Sequence, residues 1–119
     1  MFSVDGYTIS LSRGDTGAIK IQTETDYTFA SEDRALFSVK NSLGEVVRQQ
    51  IYEIDSYKAF IVNFANADTD YLPVGSYSWD VRYVINPYYD STGKIIDGDQ
   101  VITPEPPMEM QLLQVVGEI

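Results

Sequence analysis

The chain contains neither cysteine nor histidine. No disulfide can therefore staple it, and a structural zinc site has no good ligands. The same absence removes the commonest general base and the usual physiological pH switch. Cations are scarce: eight Lys and Arg stand against eighteen Asp and Glu, for a formal net charge of −10. Nucleic-acid binding needs clustered cations to neutralise phosphate, so nucleic acid is excluded as a partner. No apolar run approaches membrane-spanning length, which argues against membrane insertion. The opening MFSVDGYTIS has no basic stretch or long apolar run, so no signal peptide is expected and the protein should stay in the cell that makes it unless assembly carries it out.

Sustained helical periodicity is missing too. What replaces it is a hydrophobic period of two, with fifteen aromatic residues (nine Tyr, five Phe, one Trp) to favour strands. In YTISLS, Ile9 and Leu11 share one face; in GAIKIQ, Ile19 and Ile21 do; in ALFSVKN, Phe37 and Val39. KAFIVNF aligns Phe60, Val62 and Phe64, and GSYSWDVRYVI aligns Tyr77, Trp79, Val81, Tyr83 and Ile85. VVRQQIYEI alternates less cleanly and reads as an edge strand. One inward face and one wet face per strand is the antiparallel signature. Turn signals recur at Arg13-Gly14-Asp15, Asn41 to Gly44, Asp55-Ser56, Pro73 to Gly75, Asn86-Pro87 and Ser91 to Gly93. That rhythm predicts an all-β sandwich or small barrel. ANADTDYL has room for one helical turn, capped by Asn66 or Asp68.

The last quarter reads differently. NPYYDSTGKIIDGDQVITPEPP is turn-rich, and Pro104, Pro106 and Pro107 forbid a central strand there. The sequence divides into a sandwich over residues 1–103, then a proline-rich bridge and last strand over residues 104–119. That strand can close its own sheet or pair with a neighbouring copy.

Four groups of residues are candidates for a site. In NADTDYLPVGSYSWDV, Tyr77 opens a long strand after a Gly, which resembles the tyrosine corner of immunoglobulin-like sandwiches. There the hydroxyl returns to backbone a few residues upstream, Gly75 would take a positive φ, and Trp79 stands where those domains carry cysteine. The corner predicts an immunoglobulin-like antiparallel β-sandwich of roughly seven to nine strands. The pairs Asp68/Asp70 and Asp97/Asp99, with Asp90 nearby, have neither calcium-loop nor glycosidase context. They read as solvated turn carboxylates, so no metal, cofactor or catalytic residue is expected. Tyr88 and Tyr89 are candidate contact residues, since tyrosine offers amphipathic area at low entropic cost, with Tyr83 as core. Arg13-Gly14-Asp15 has the form of an adhesion ligand. Yet a turn between Leu11 and Ile19, on adjacent strands, already requires Gly14 for positive φ and Asp15 or Thr16 to bind local amides. Only Arg13 is left over as a contact candidate.

Taken in order, Arg13 to Thr16, the Phe37-x-Val39-Lys40 strand and the Asp68-Thr69-x-x-Leu72-x-x-Gly75-x-Tyr77-x-x-Asp80-Val81 segment resemble one family. It is the N-terminal domain of phage baseplate upper proteins, and the likeness spans residues 7 to 85. The region through Tyr88, Asp90 and the Pro-rich TPEPP departs from it as an insertion. The resemblance implies a structural virion module of a phage or prophage tail, binding other virion proteins as a homo-oligomer in the particle. It also implies location in the virion, and in the host cytoplasm before assembly. The competing reading is a carbohydrate-binding or adhesion module whose tyrosines stack on a host-surface glycan.

Overall fold

The computed structural model describes residues 2–102 and 108–113. Among them, nine strands and one helical turn follow in order: β1 (Phe2–Asp5), β2 (Thr8–Ser12), β3 (Gly17–Gln22), β4 (Arg34–Lys40), β5 (Val46–Glu53), β6 (Ala59–Phe64), α1 (Asn66–Thr69), β7 (Gly75–Tyr89), β8 (Ile95–Ile102) and β9 (Met108–Leu113). Seven strands form one sheet ordered β1-β2-β9-β7-β4-β5, with β8 also on β7. β3 and β6 form the second, antiparallel sheet. This is the all-β, immunoglobulin-like sandwich architecture that the period-two pattern predicts.

The inward residues of each strand meet between the sheets. Ile9 and Leu11 of β2, Phe37 and Val39 of β4, Val62 of β6, Val81 and Tyr83 of β7, and Met110 and Leu112 of β9 are all buried. Phe37 bridges the layers, with its ring 5.9 Å from Phe64 across the sandwich and 5.3 Å from Trp79 beside it. Truncating so enclosed a ring to alanine costs about 3–5 kcal/mol. Trp79 supplies apolar bulk where a disulfide would otherwise sit.

Several expectations are corrected. Leu11 and Ile19 do not lie on adjacent strands, because β2 and β3 belong to opposite sheets and face each other across the core. The Arg13-Gly14-Asp15 turn is therefore a crossing between layers rather than a hairpin. Pairing is not wholly antiparallel either: β9 runs parallel to β2, with Thr8 opposite Glu109 and Ser12 opposite Leu113. The last strand lies in the sheet of its own chain, between β2 and β7. The proline-rich bridge at Pro104, Pro106 and Pro107 lies outside the described residues.

Asn86-Pro87 is not a turn. β7 runs 15 residues through it, and much of the stretch read as turn-rich is the β7–β8 hairpin. Neither Asn66 nor Asp68 is the N-cap of α1, which is Ala65. The Asp68 carboxylate instead reaches back from inside the turn to accept the Ala65 N–H at 2.7 Å. Gly75 has no positive φ; among the described residues the positive-φ glycines are Gly6, Gly14, Gly44 and Gly93. It starts β7 opposite Leu112 in ordinary extended register, so the corner makes no demand that only glycine meets there.

Candidate interaction surface

At one end of the sandwich the motif residues form a single lock. Gly14 sits at φ +85°, and its N–H donates to Thr69 Oγ1 at 3.0 Å. Asn66 Nδ2 donates to the Gly14 carbonyl at 2.9 Å. The inter-sheet turn is thus gripped from both sides by α1. Asp15 closes the turn itself, accepting the Ser12 N–H at 3.0 Å, while Thr16 is exposed. Arg13 extends toward the Leu72 carbonyl, 3.5 Å away, and so lies against the corner rather than free of it. Tyr77 donates to the Pro73 carbonyl at 2.6 Å, four residues upstream. The other flank of α1 is tied to the edge strand β5: Asp68, buried, pairs with Arg48, and the Tyr71 hydroxyl donates to the Val47 carbonyl at 2.9 Å. Asp68 is therefore a buried ion-pair member and not a solvated turn residue.

The other end carries a folded-over arm, the distal part of the β7–β8 hairpin. Asn86 adopts φ +48°, a left-handed conformation that Asn tolerates better than most residues, and this breaks the ladder between Ile85/Gln100 and Pro87/Gly98. The fully buried carboxylate of Asp33 fixes the break: Oδ1 accepts the Asn86 N–H at 2.9 Å, and Oδ2 accepts the Ala30 N–H at 2.7 Å. Gly98 lets the arm approach, since a Cβ there would stand 2.4 Å from Val84 Cγ1 and 2.9 Å from the Ile85 carbonyl. At the tip, Asp90 Oδ1 accepts the N–H groups of Thr92 (2.8 Å) and Lys94 (3.0 Å) and the Thr92 hydroxyl (2.6 Å).

The bent arm lies over the outer face of the seven-stranded sheet and leaves two clefts beneath it. One, of about 300 Å³, is bounded by Leu36, Gln49, Arg82 and Val84 of the sheet and by Ile95, Ile96 and Asp97 of the arm. The other, of about 410 Å³, lies between the tip (Thr92 to Lys94) and Val46, Gln49 and Ile51 of β5. Gln49 is a wall of both.

Tyr88 and Tyr89 stand on the arm, each 46% exposed. The Tyr88 hydroxyl donates to Asp99 Oδ1, and Asn86 Nδ2 donates to Asp99 Oδ2 at 3.0 Å, so the ring is held in place before any partner arrives. The Tyr88 and Asn86 bonds hold the Asp99 carboxyl below the usual aspartate range, and the Asp99 bond raises the Tyr88 phenol. The hydroxyl of Thr92 and the nearby amides similarly lower Asp90. Tyr83 is fully buried, and no hydrogen-bond partner meets its hydroxyl among the described residues; burial pushes its pKa up to about 12. Among the described residues, no group of three or more Asp, Glu, His or Cys converges as a metal site would require.

The structure therefore brings Arg13, Gly14 and Asp15 together with Tyr77 at one end, and sets Tyr88 and Tyr89 apart at the arm. Sequence reasoning missed Asp33, Asn86, Gly98 and Arg82. Gly98 carried a usable signal, since a lone Gly within a strand marks a bulge or a close backbone approach. Comparison with known protein families, with curated proteins and with solved structures finds no match to this chain.

Proposed function

We propose that this chain is a non-catalytic assembly module of a tailed-phage or prophage particle, acting in the tail or baseplate through protein–protein contacts. The observation that supports it is the physical unity of the resembling motifs. Arg13 to Thr16 and Asp68 to Tyr77 are distant in sequence, yet Gly14 and Thr69 interlock them, and Asn66 just upstream of the second motif adds a bond to Gly14. They serve the fold, which leaves the hairpin arm and the outer face for binding. On this reading Tyr88 and Tyr89 are the contact residues: both rings are half-exposed, and Tyr88, fixed by Asp99, loses little entropy on docking. Repetition around a symmetric particle lets weak individual contacts add. No catalytic role is proposed, since Asp68, Asp90, Asp97 and Asp99, four of the five acids that the sequence groups together, are held in turns and pairs.

The test is chemical cross-linking in a lysate from prophage-induced cells, comparing the native chain with a Tyr88→Ala/Tyr89→Ala variant. Cross-links from the arm to tail proteins, lost in the variant, are expected. A glycan array that binds the native chain and not the variant would instead establish the carbohydrate-binding alternative.

A further inference from the structure

Arg82 stands on the outer face of β7, directly opposite Leu36 of β4, at the floor of the cleft beneath the arm. Three other cations are committed: Arg34 to Glu53, Lys40 to Asp80 and Arg48 to Asp68. The Arg82 side chain has no hydrogen bond or ion pair with any described residue, in a chain whose acids outnumber its bases by more than two to one. The carboxylate bordering the same cleft, Asp97, is turned onto its own backbone and accepts the Gly98 N–H at 2.9 Å. Arg82 is itself exposed, and aliphatic side chains line the same cleft: Leu36 and Val84 on the sheet, Ile95 and Ile96 on the arm.

We infer that the two clefts form one groove that receives an extended segment of a partner protein, with a carboxylate for Arg82 and branched aliphatic side chains on either side. A guanidinium presents a planar fork that fits a carboxylate in two parallel hydrogen bonds. From the Val84 register to that of Val46, which reaches β7 at Ser78 through Lys40, is six residues of strand. An extended occupant of roughly six residues, about 20 Å, matches that run. The groove ends at β5, an edge strand paired only with β4, so an extended chain lying in it can run out over an open side of the sheet. This inference deepens the assembly reading by naming the partner's chemistry, but its test does not require a virion.

The test is selection from a random hexapeptide library displayed on yeast, with the native chain as bait. Enriched peptides should share an Asp or Glu flanked by Val, Ile or Leu. An enriched peptide should bind Arg82→Gln about ten- to a hundredfold more weakly, the range expected for losing a charge-assisted pair. Ile96→Glu, at a 64% exposed position, should weaken binding through repulsion without disturbing the fold. Circular dichroism of both variants separates lost binding from lost structure. Failure to enrich any peptide, enrichment of basic peptides, or binding that survives Arg82→Gln overturns the inference. A concentration-dependent dimer that Arg82→Gln dissolves also overturns it, because the occupant is then a second copy. Failure of the selection alongside arm cross-links to tail proteins would refute the groove and leave the assembly reading standing.

Discussion

Replacing Gly14 with alanine separates two demands that the inter-sheet turn places on one residue. The backbone there sits at φ +85°, and a Cβ would meet Asn66 Nδ2 at 2.9 Å. The left-handed conformation alone costs a residue with a side chain about 1–2 kcal/mol. The close approach adds about 1 kcal/mol, because Asn66 must swing away and give up its bond to the Gly14 carbonyl. The expected total is about 2–3 kcal/mol, or roughly 10 °C in Tm for a domain of this size. Gly44 is the control. It also has positive φ (+80°), but a Cβ there would meet nothing within 4 Å, so Gly44→Ala should cost only about 1–2 kcal/mol. Urea unfolding of both variants gives the difference directly. In an Asn66→Ala background the Gly14→Ala cost should fall to the Gly44 level, exposing a coupling of about 1 kcal/mol. Equal costs for Gly14→Ala and Gly44→Ala would refute the interlock and return the tripeptide to the status of an independent surface turn.

Three further outcomes concern other parts of the molecule. Tyr77→Phe removes the hydroxyl on Pro73 and should cost about 0.5–1.5 kcal/mol, whereas Gly75→Ala should be neutral in the same urea assay, as it has open space and no positive φ. Gly98→Ala should lift the arm off Val84 at a cost of about 1–3 kcal/mol, and hydrogen exchange should quicken across residues 87–97 while β4 stays protected. Tyr83→Phe should leave stability unchanged or raise it, since the hydroxyl it removes is buried without a partner. The native Tyr83 pKa near 12 lies above the ordinary 10, so its ionisation leaves stability untouched below pH 10 and lowers it as pH rises toward 12, a fall that Tyr83→Phe should remove. Ultraviolet titration should find one tyrosine ionising last, and its absence in Tyr83→Phe identifies it.

How far the sequence carried the fold depends on whether the deciding force was local. Strand faces were legible because alternation is a local property: Phe60, Val62 and Phe64, and the alternate residues Tyr77, Trp79, Val81, Tyr83 and Ile85, are all buried as the period predicts. Layer membership was not, since a Gly-Asp turn can close a hairpin or cross between sheets, and only the grip of α1 on Gly14 decides. Asn86-Pro87 misled for a related reason. The chemistry that starts a turn also serves a strand break when a buried carboxylate, here Asp33 from a remote loop, takes the amide. The parallel pairing of β2 with β9 joins the two ends of the chain and leaves no trace in either segment alone. At the interaction surface, Tyr88 and Tyr89 could be named from composition. Arg82 reads as an ordinary wet-face residue until the arm is seen to fold above it.

The measurement that bears most directly on the assembly reading is the protein composition of purified tailed particles induced from the bacterium carrying this gene. Quantitative mass spectrometry should find the chain at a fixed ratio to tail proteins, and the ratio should drop for the Tyr88→Ala/Tyr89→Ala variant while the folded protein remains abundant in the lysate. Particles complete and infectious without the chain would contradict the account.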